Sequence, residues 1–196
     1  MLINFADGVA EPKHQEELSI LLDQITFQEL EAVEQYCYEL LSKIGKKNGR
    51  RYEISYVPPV ALQLILNNQD GPLQYGVHAG NIIKIIKMSS FDKKKGKFGE
   101  ILILAHETGH AIMGVKNVTM DDKFGTRIME KATDEAIKIY IMDKFPLFYR
   151  MYVLCRDTHH HKTKEGDFKE FFKDIISIME QRWEYYKDRR KNRLNI

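Results

Sequence analysis

Residues 101–114, ILILAHETGHAIMG, decide how the chain is read. Apolar residues flank His106-Glu107-Thr108-Gly109-His110 on both sides, and Glu107 is the sole acidic or basic residue apart from the two histidines between Ile101 and Met113. Residues four apart on an α-helix lie one turn above each other on the same face, so His106 and His110 can reach one metal ion. Glu107 falls beside them, where its carboxylate can take a proton from a water that the ion acidifies while the ion polarises a carbonyl. That is the logic of a zinc peptidase. A helix buried on nearly all sides must also satisfy its two imidazoles and its carboxylate, because an unpaired buried polar group costs about 1–3 kcal/mol. The competing reading is a core helix whose histidines only hydrogen-bond to neighbours.

Outward from this helix, the totals bound the answer. A chain of 196 residues, 43% hydrophobic and 30% charged, has the profile of a folded globular protein and suits one domain with a small helical appendage. A net charge of +2 gives no global case for nucleic-acid binding, although the C-terminal stretch is locally basic. Cys37 and Cys155 are the only cysteines, which argues against a disulfide framework and a cysteine-based zinc site and suits a reducing compartment. MLINFADGVAEPKHQEE has no basic stretch leading into an apolar one, and no apolar run approaches a membrane span. The expected location is cytoplasmic, with no membrane partner.

Before the metal helix, residues 16–25 read as a short amphipathic helix, and Thr26 with Glu29 supplies a capping box for a second. That helix should run to about Ile44, with Leu30, Val33, Cys37, Leu40, Leu41 and Ile44 on its core face and Gly45 as its stop. Residues 52–57 alternate as a strand ended by Pro58-Pro59, and residues 60–66 fit either a short helix or a strand. Residues 74–79 and 82–88 read as a hairpin around Gly80-Asn81, and Lys84 and Lys87 among isoleucines suggest an exposed sheet edge. An edge beside a metal site can accept an extended peptide through main-chain hydrogen bonds, or be no more than a solubilised edge. Residues 89–97, rich in lysine, read as a solvated loop before a metal helix spanning about 98–113, with Gly114 ending it.

After it, Thr119 or Asp121 can cap a helix reaching about Lys144, Pro146 breaks the chain, and residues 147–156 form another helix. His159-His160-His161 fall in a loop. Asp167 can cap a last helix with Phe168, Phe171, Phe172, Ile175, Ile178, Met179 and Trp183 on one face, before a basic tail.

Catalytic zinc generally takes three protein ligands and keeps one open position. A metzincin continuation needs glycine at 113 and histidine at 116, where this chain has Met113 and Lys116. Downstream carboxylates that can serve are Asp121, Asp122, Glu130, Asp134 and Glu135. Glu130 and Asp134 lie four apart on one helix face, which allows the first to bind metal while the second orients a histidine from behind. Glu135 points about 100° away from Asp134 and reads as an exposed helix carboxylate.

AHETGHAIM, followed after some twenty residues by EKATDEAIKIYIMD, resembles the ImmA/IrrE metallopeptidases. Their pattern is a His-Glu-x-Gly-His helix, then Glu-x-x-x-Asn/Asp leading into a small-residue and aliphatic run ending Leu-Met-Pro. Matched residue by residue, Glu130 falls on the family's glutamate ligand, Asp134 on the Asn/Asp and Met142 on the Met. The resemblance spans Gly76 to about Asp143; Asp143 stands where the family usually has Pro, and Ala132-Thr133 replaces a common Glu-Ala pair. It implies a cytoplasmic protease that acts on a regulatory protein such as a transcriptional repressor.

These readings together predict an α+β fold: a predominantly helical, zincin-like metallopeptidase domain over 1–145, with a small antiparallel sheet beside the metal helix. A C-terminal helical extension, 146–196, should pack on it. The expected site is Zn²⁺ on His106, His110 and Glu130, with Glu107 as base and Asp134 behind the ligands. Tyr140, Tyr149, Tyr152 and the His159–His161 loop are candidate donors to the developing oxyanion. Two further function classes fit the sequence: a zinc-containing interaction protein without turnover, and a protease guided to DNA by Arg189, Arg190, Lys191 and Arg193.

Overall fold

The computed structural model describes residues 12–66, 75–89, 91–114, 123–156 and 172–194. Helix α1 (Pro12–Gln24) leads directly into α2 (Phe27–Lys47). The capping box forms: Thr26 Oγ1 accepts from the Glu29 backbone N–H at 3.1 Å, and Glu29 Oε2 accepts from the Thr26 backbone N–H at 2.7 Å. Leu30, Val33, Cys37, Leu40 and Leu41 are buried along one stripe of α2. The helix does not stop at Gly45. A Cβ there would stand 2.5 Å from the Arg50 carbonyl oxygen, so the glycine admits the returning chain, and the left-handed residue is Gly49 at φ 63°.

Strand β1 (Glu53–Val57) is followed by α3 (Pro59–Ile65), a helix entered through Pro59, which decides residues 60–66 in favour of helix. Strands β2 (Gly76–Ala79) and β3 (Ile82–Ile86) form the expected hairpin, with Gly80 at φ 64°. Two expectations are corrected here. The sheet is mixed, not antiparallel: in the order β1-β3-β2, β3 pairs antiparallel with β2 but parallel with β1. A parallel pair needs a crossover, and the chain through α3 supplies it. Nor is β3 an exposed edge; it is the central strand. Ile83, Ile85 and Ile86 are buried while Lys84 reaches across the other face to Ser55, its register partner on β1, with Nζ 3.3 Å from Oγ. The lysine marks an outer face, not an edge.

Helix α4 (Lys93–Met113) starts five residues earlier than expected, because Asp92 Oδ1 accepts from the Lys95 backbone N–H at 2.8 Å and caps it. The lysine-rich stretch is thus its first turns. Lys97 Nζ sits 2.7 Å from Glu34 Oε2 on α2, and the Tyr56 and Tyr38 hydroxyls donate to Glu34 Oε1. Burial works against the Glu34 charge, but these donors outweigh it and hold its carboxyl below the usual range. Every residue from Phe98 to Ala111 is buried, and Gly114, at φ 68°, ends the helix as expected.

Helix α5 (Lys123–Ile141) stops short of Lys144, and α6 (Pro146–Cys155) and α7 (Lys173–Leu194) complete the described chain. Phe172 stacks on Phe98 with ring centroids 6.0 Å apart, and α7 buries Ile175, Ile176, Met179 and Trp183; Ile178, expected on that face, is exposed. The expected caps at Thr119, Asp121 and Asp167, the His159–His161 loop, Phe168 and Phe171 lie outside the described residues. One hydrophobic cluster runs from Leu18 and Leu30 through Ile83 and Leu104 to Phe148 and Met179, with α4 at its centre. The protein is mostly helical with a small mixed sheet, and no described helix is long and apolar enough to cross a membrane.

The loop into α4 is held by α4 itself. Buried Glu100 accepts from the backbone N–H groups of Met88 and Ser89, at 2.5 and 2.8 Å. Glu100→Ala strands these donors and should cost about 1–3 kcal/mol in urea denaturation at unchanged slope, whereas Glu100→Gln, which keeps an acceptor, should lose less.

Candidate metal centre

Helix spacing stacks His106 and His110 on the face of α4 turned towards α5, with rings 4.7 Å apart and nearly perpendicular at 85°. Glu130, on α5, faces them. His106 Nε2 lies 3.1 Å from His110 Nε2 and 3.1 Å from Glu130 Oε2, and His110 Nε2 lies 3.4 Å from Glu130 Oε1. Among the described residues these three side chains form the group able to hold a metal ion. A tetrahedral ion with bonds of roughly 2.0–2.1 Å sets its ligand atoms about 3.3 Å apart, so each separation has the length of a tetrahedral edge, the two to Glu130 reaching different oxygens of its carboxylate. Two imidazole nitrogens and a carboxylate oxygen are also a donor set suited to such an ion.

Each ligand has a partner behind it. Thr133 Oγ1 lies 3.0 Å from His110 Nδ1, and the Tyr152 hydroxyl lies 3.1 Å from His106 Nδ1. Asp134, expected to orient a histidine, is 3.9 Å from His106 Nδ1 and meets the ring through Tyr152, whose hydroxyl donates to Asp134 Oδ1 at 2.5 Å. Arg156 Nη2 donates to Glu130 Oε2 at 2.5 Å, and its Nε is 3.5 Å from Asp134 Oδ1.

The electrostatics follow from burial and this neighbourhood. Burial, assisted by the Arg156 charge, pushes His106 down to about 4, so its imidazole is neutral at pH 7 and its lone pair is available. Burial opposes the Glu130 charge, but His106, His110 and Arg156 outweigh it and hold the carboxyl far below its ordinary range. Burial, with the charge of Asp134, keeps Tyr152 protonated.

Glu107 is buried one residue along from His106, on the side of α4 facing the sheet. Gly76 on β2 meets it there: a Cβ on Gly76 would stand 2.5 Å from Ile103 Cγ2 and 3.1 Å from Glu107 Oε1. His78 follows two residues later on the same face of β2. Its Nε2 lies 3.0 Å from the Gly80 carbonyl oxygen; burial lowers its pKa, against the pull of the Glu107 carboxylate.

The sequence-based candidates are thereby sorted. The structure brings together His106, His110, Glu130 and Asp134. Glu135 is left on the surface, 67% exposed and 3.7 Å from Lys138, and Asp121 and Asp122 lie outside the described residues. Of the tyrosines, Tyr152 is in the site, Tyr149 stacks on it at 6.4 Å, and Tyr140 is exposed. Thr133, Arg156 and His78 carried no sequence signal beyond their neighbourhood, although Tyr152 and Arg156 are four apart, the spacing of one helix face. Comparison of the chain with protein-family models, with curated proteins and with solved structures finds no match.

Two outcomes follow from this geometry. In metal analysis of purified variants, Glu130→Ala should lose more than the roughly 10- to 100-fold in affinity that an outer hydrogen-bond partner supplies, and Glu135→Ala should lose none; the reverse pattern overturns the assignment. Gly109 binds nothing, yet a Cβ there would sit 2.7 Å from Thr133 Cγ2 and 3.0 Å from the Thr133 carbonyl oxygen. Gly109→Ala should therefore push α5 outward, costing about 1–3 kcal/mol in thermal denaturation and weakening metal binding in the same protein.

Proposed function

We propose that the protein is a zinc-dependent endopeptidase of the kind its motifs resemble, the ImmA/IrrE metallopeptidases, with a zincin-like fold around the metal helix. The observation that carries this reading is the cluster of His106 Nε2, His110 Nε2 and the two Glu130 carboxylate oxygens, with Glu107 beside the histidines on α4. His106, His110 and Glu130 would hold the ion. When bound, zinc supplies Lewis acidity, bringing the pKa of a water towards neutrality and polarising a carbonyl.

The chain's own groups do the remainder. Glu107, buried beside the ligands, takes one proton from the attacking water and returns it to the amine nitrogen as the carbon–nitrogen bond breaks. Packing of Ile103 and Gly76 around it fixes where that carboxylate stands. Among the described residues β2 is paired on one side only, by β3, and it is the strand that touches α4 at Glu107. An extended peptide adding to its open edge is delivered to the base, one of the two roles the sequence left open for β3. A cytoplasmic regulatory protein, such as a transcriptional repressor, is the substrate class that the motif resemblance supports.

Glu107→Gln tests this against a zinc-containing interaction protein. With a library of unfolded peptides and mass-spectrometric counting of new N-termini, the variant should lose about 10²- to 10⁴-fold in rate while its zinc content stays that of wild type. Equal cleavage by both proteins, or none by wild type with zinc bound, would sink the peptidase reading.

A further inference from the structure

The hydroxyl of Tyr152 has one proton to give and stands between two groups that both lie within hydrogen-bond reach, His106 Nδ1 at 3.1 Å and Asp134 Oδ1 at 2.5 Å. Asp134 as a carboxylate can only accept. The shorter contact therefore takes the tyrosine proton, which leaves the tyrosine oxygen as an acceptor towards His106. His106 must then carry its own proton on Nδ1, and its Nε2 lone pair is directed at His110 and Glu130. A buried ring reversed by tautomer would put an N–H where a ligand lone pair is needed.

We infer that Tyr152, on α6, is a positioning residue of the metal centre: its hydroxyl, oriented by Asp134, fixes His106 in the Nδ1–H tautomer and so prepares Nε2 for the ion. Arg156, the extended residue that follows the last turn of α6, closes the ring of contacts, joining Asp134 at 3.5 Å to Glu130 Oε2 at 2.5 Å. Two ligands contributed by α4 and α5 are thus held from behind by one short helix and the residue that caps its end, with no ligand coming from either. The tyrosine ring itself is anchored independently of its hydroxyl, buried in the core and stacked on Tyr149. Removing the oxygen atom alone therefore leaves the packing in place.

This inference rests on the metal-site reading above but not on peptidase activity, and its test needs no substrate. Nitrogen-15 spectra of the imidazoles in metal-free protein distinguish protonated from bare ring nitrogens. Wild type should show His106 protonated at Nδ1. Tyr152→Phe should lose that preference and bind zinc about 10- to 100-fold more weakly in competition with a chromophoric chelator. Asp134→Ala keeps the tyrosine and frees its proton for His106 Nδ1, so it should move the His106 proton to Nε2. Asp134→Asn keeps an acceptor oxygen on Tyr152 and should restore the wild-type tautomer. A wild-type His106 protonated at Nε2, a tautomer unmoved in both Tyr152→Phe and Asp134→Ala, or a tautomer that moves with zinc affinity unchanged would each overturn the positioning role. Failure of wild type to bind zinc would instead overturn the metal-site reading, with the spectra still deciding what Tyr152 does to His106.

Discussion

Burial of α4 is the constraint on which the rest depends. Its residues from Phe98 to Ala111 are all buried, and among them stand Glu100, His106, Glu107 and His110. Such groups are tolerated in a core only with partners, so each neighbouring element has to bring polar atoms as well as apolar surface. Glu100 is satisfied by the loop that precedes the helix, Thr108 by the carbonyl oxygen of Leu104, and the histidines by α5 and α6. The apolar remainder of α4 is what keeps those partners in register.

Small residues set how closely the neighbours approach. Gly109 lets the backbone of α5 come against α4, and Gly76 does the same for β2 on the other side. The helix carrying the candidate metal site is thereby squeezed between a strand that reaches its carboxylate and a helix that reaches its imidazoles. The polar cluster of Glu34, Tyr38, Tyr56 and Lys97 performs a comparable task at the far end, tying α2 and β1 to the first turns of α4. Neither glycine offers a side chain to the candidate site, yet both set how closely its neighbours stand.

Some of this was legible in the sequence and some was not, for identifiable reasons. Spacing within one helix has a periodic signature, so His106 with His110 and Glu130 with Asp134 could be read before any contact was known. The capping box at Thr26 and the hairpin at Gly80 are local in the same sense. Tyr152, Thr133 and Arg156 meet the ligands across helix boundaries, and nothing in local spacing reports which turn of one helix faces which turn of another. The lysines of β3 misled because alternation encodes the face of a sheet; whether a strand is central depends on a partner supplied 29 residues earlier, as Ser55 is for Lys84. Asp92 was missed as a cap because the lysines after it read as solvent-facing loop, although a helix carries such a run equally well once Lys97 finds Glu34.

The contribution of α6 to the centre bears on how the protein is made. His106 and His110 emerge from the ribosome well before Glu130, and Glu130 before Tyr152 and Arg156, with 46 residues separating the first ligand from the hydroxyl behind it. Chains fold vectorially as they are synthesised, at about 5–20 residues per second, and contacts between distant segments form only after the loops between them close. The nascent α4 therefore spends seconds with its polar face exposed before its backing helix has left the exit tunnel. Assembly of His106, His110 and Glu130 in the finished geometry is a late event of biogenesis, set by the arrival of a helix that contributes none of the three.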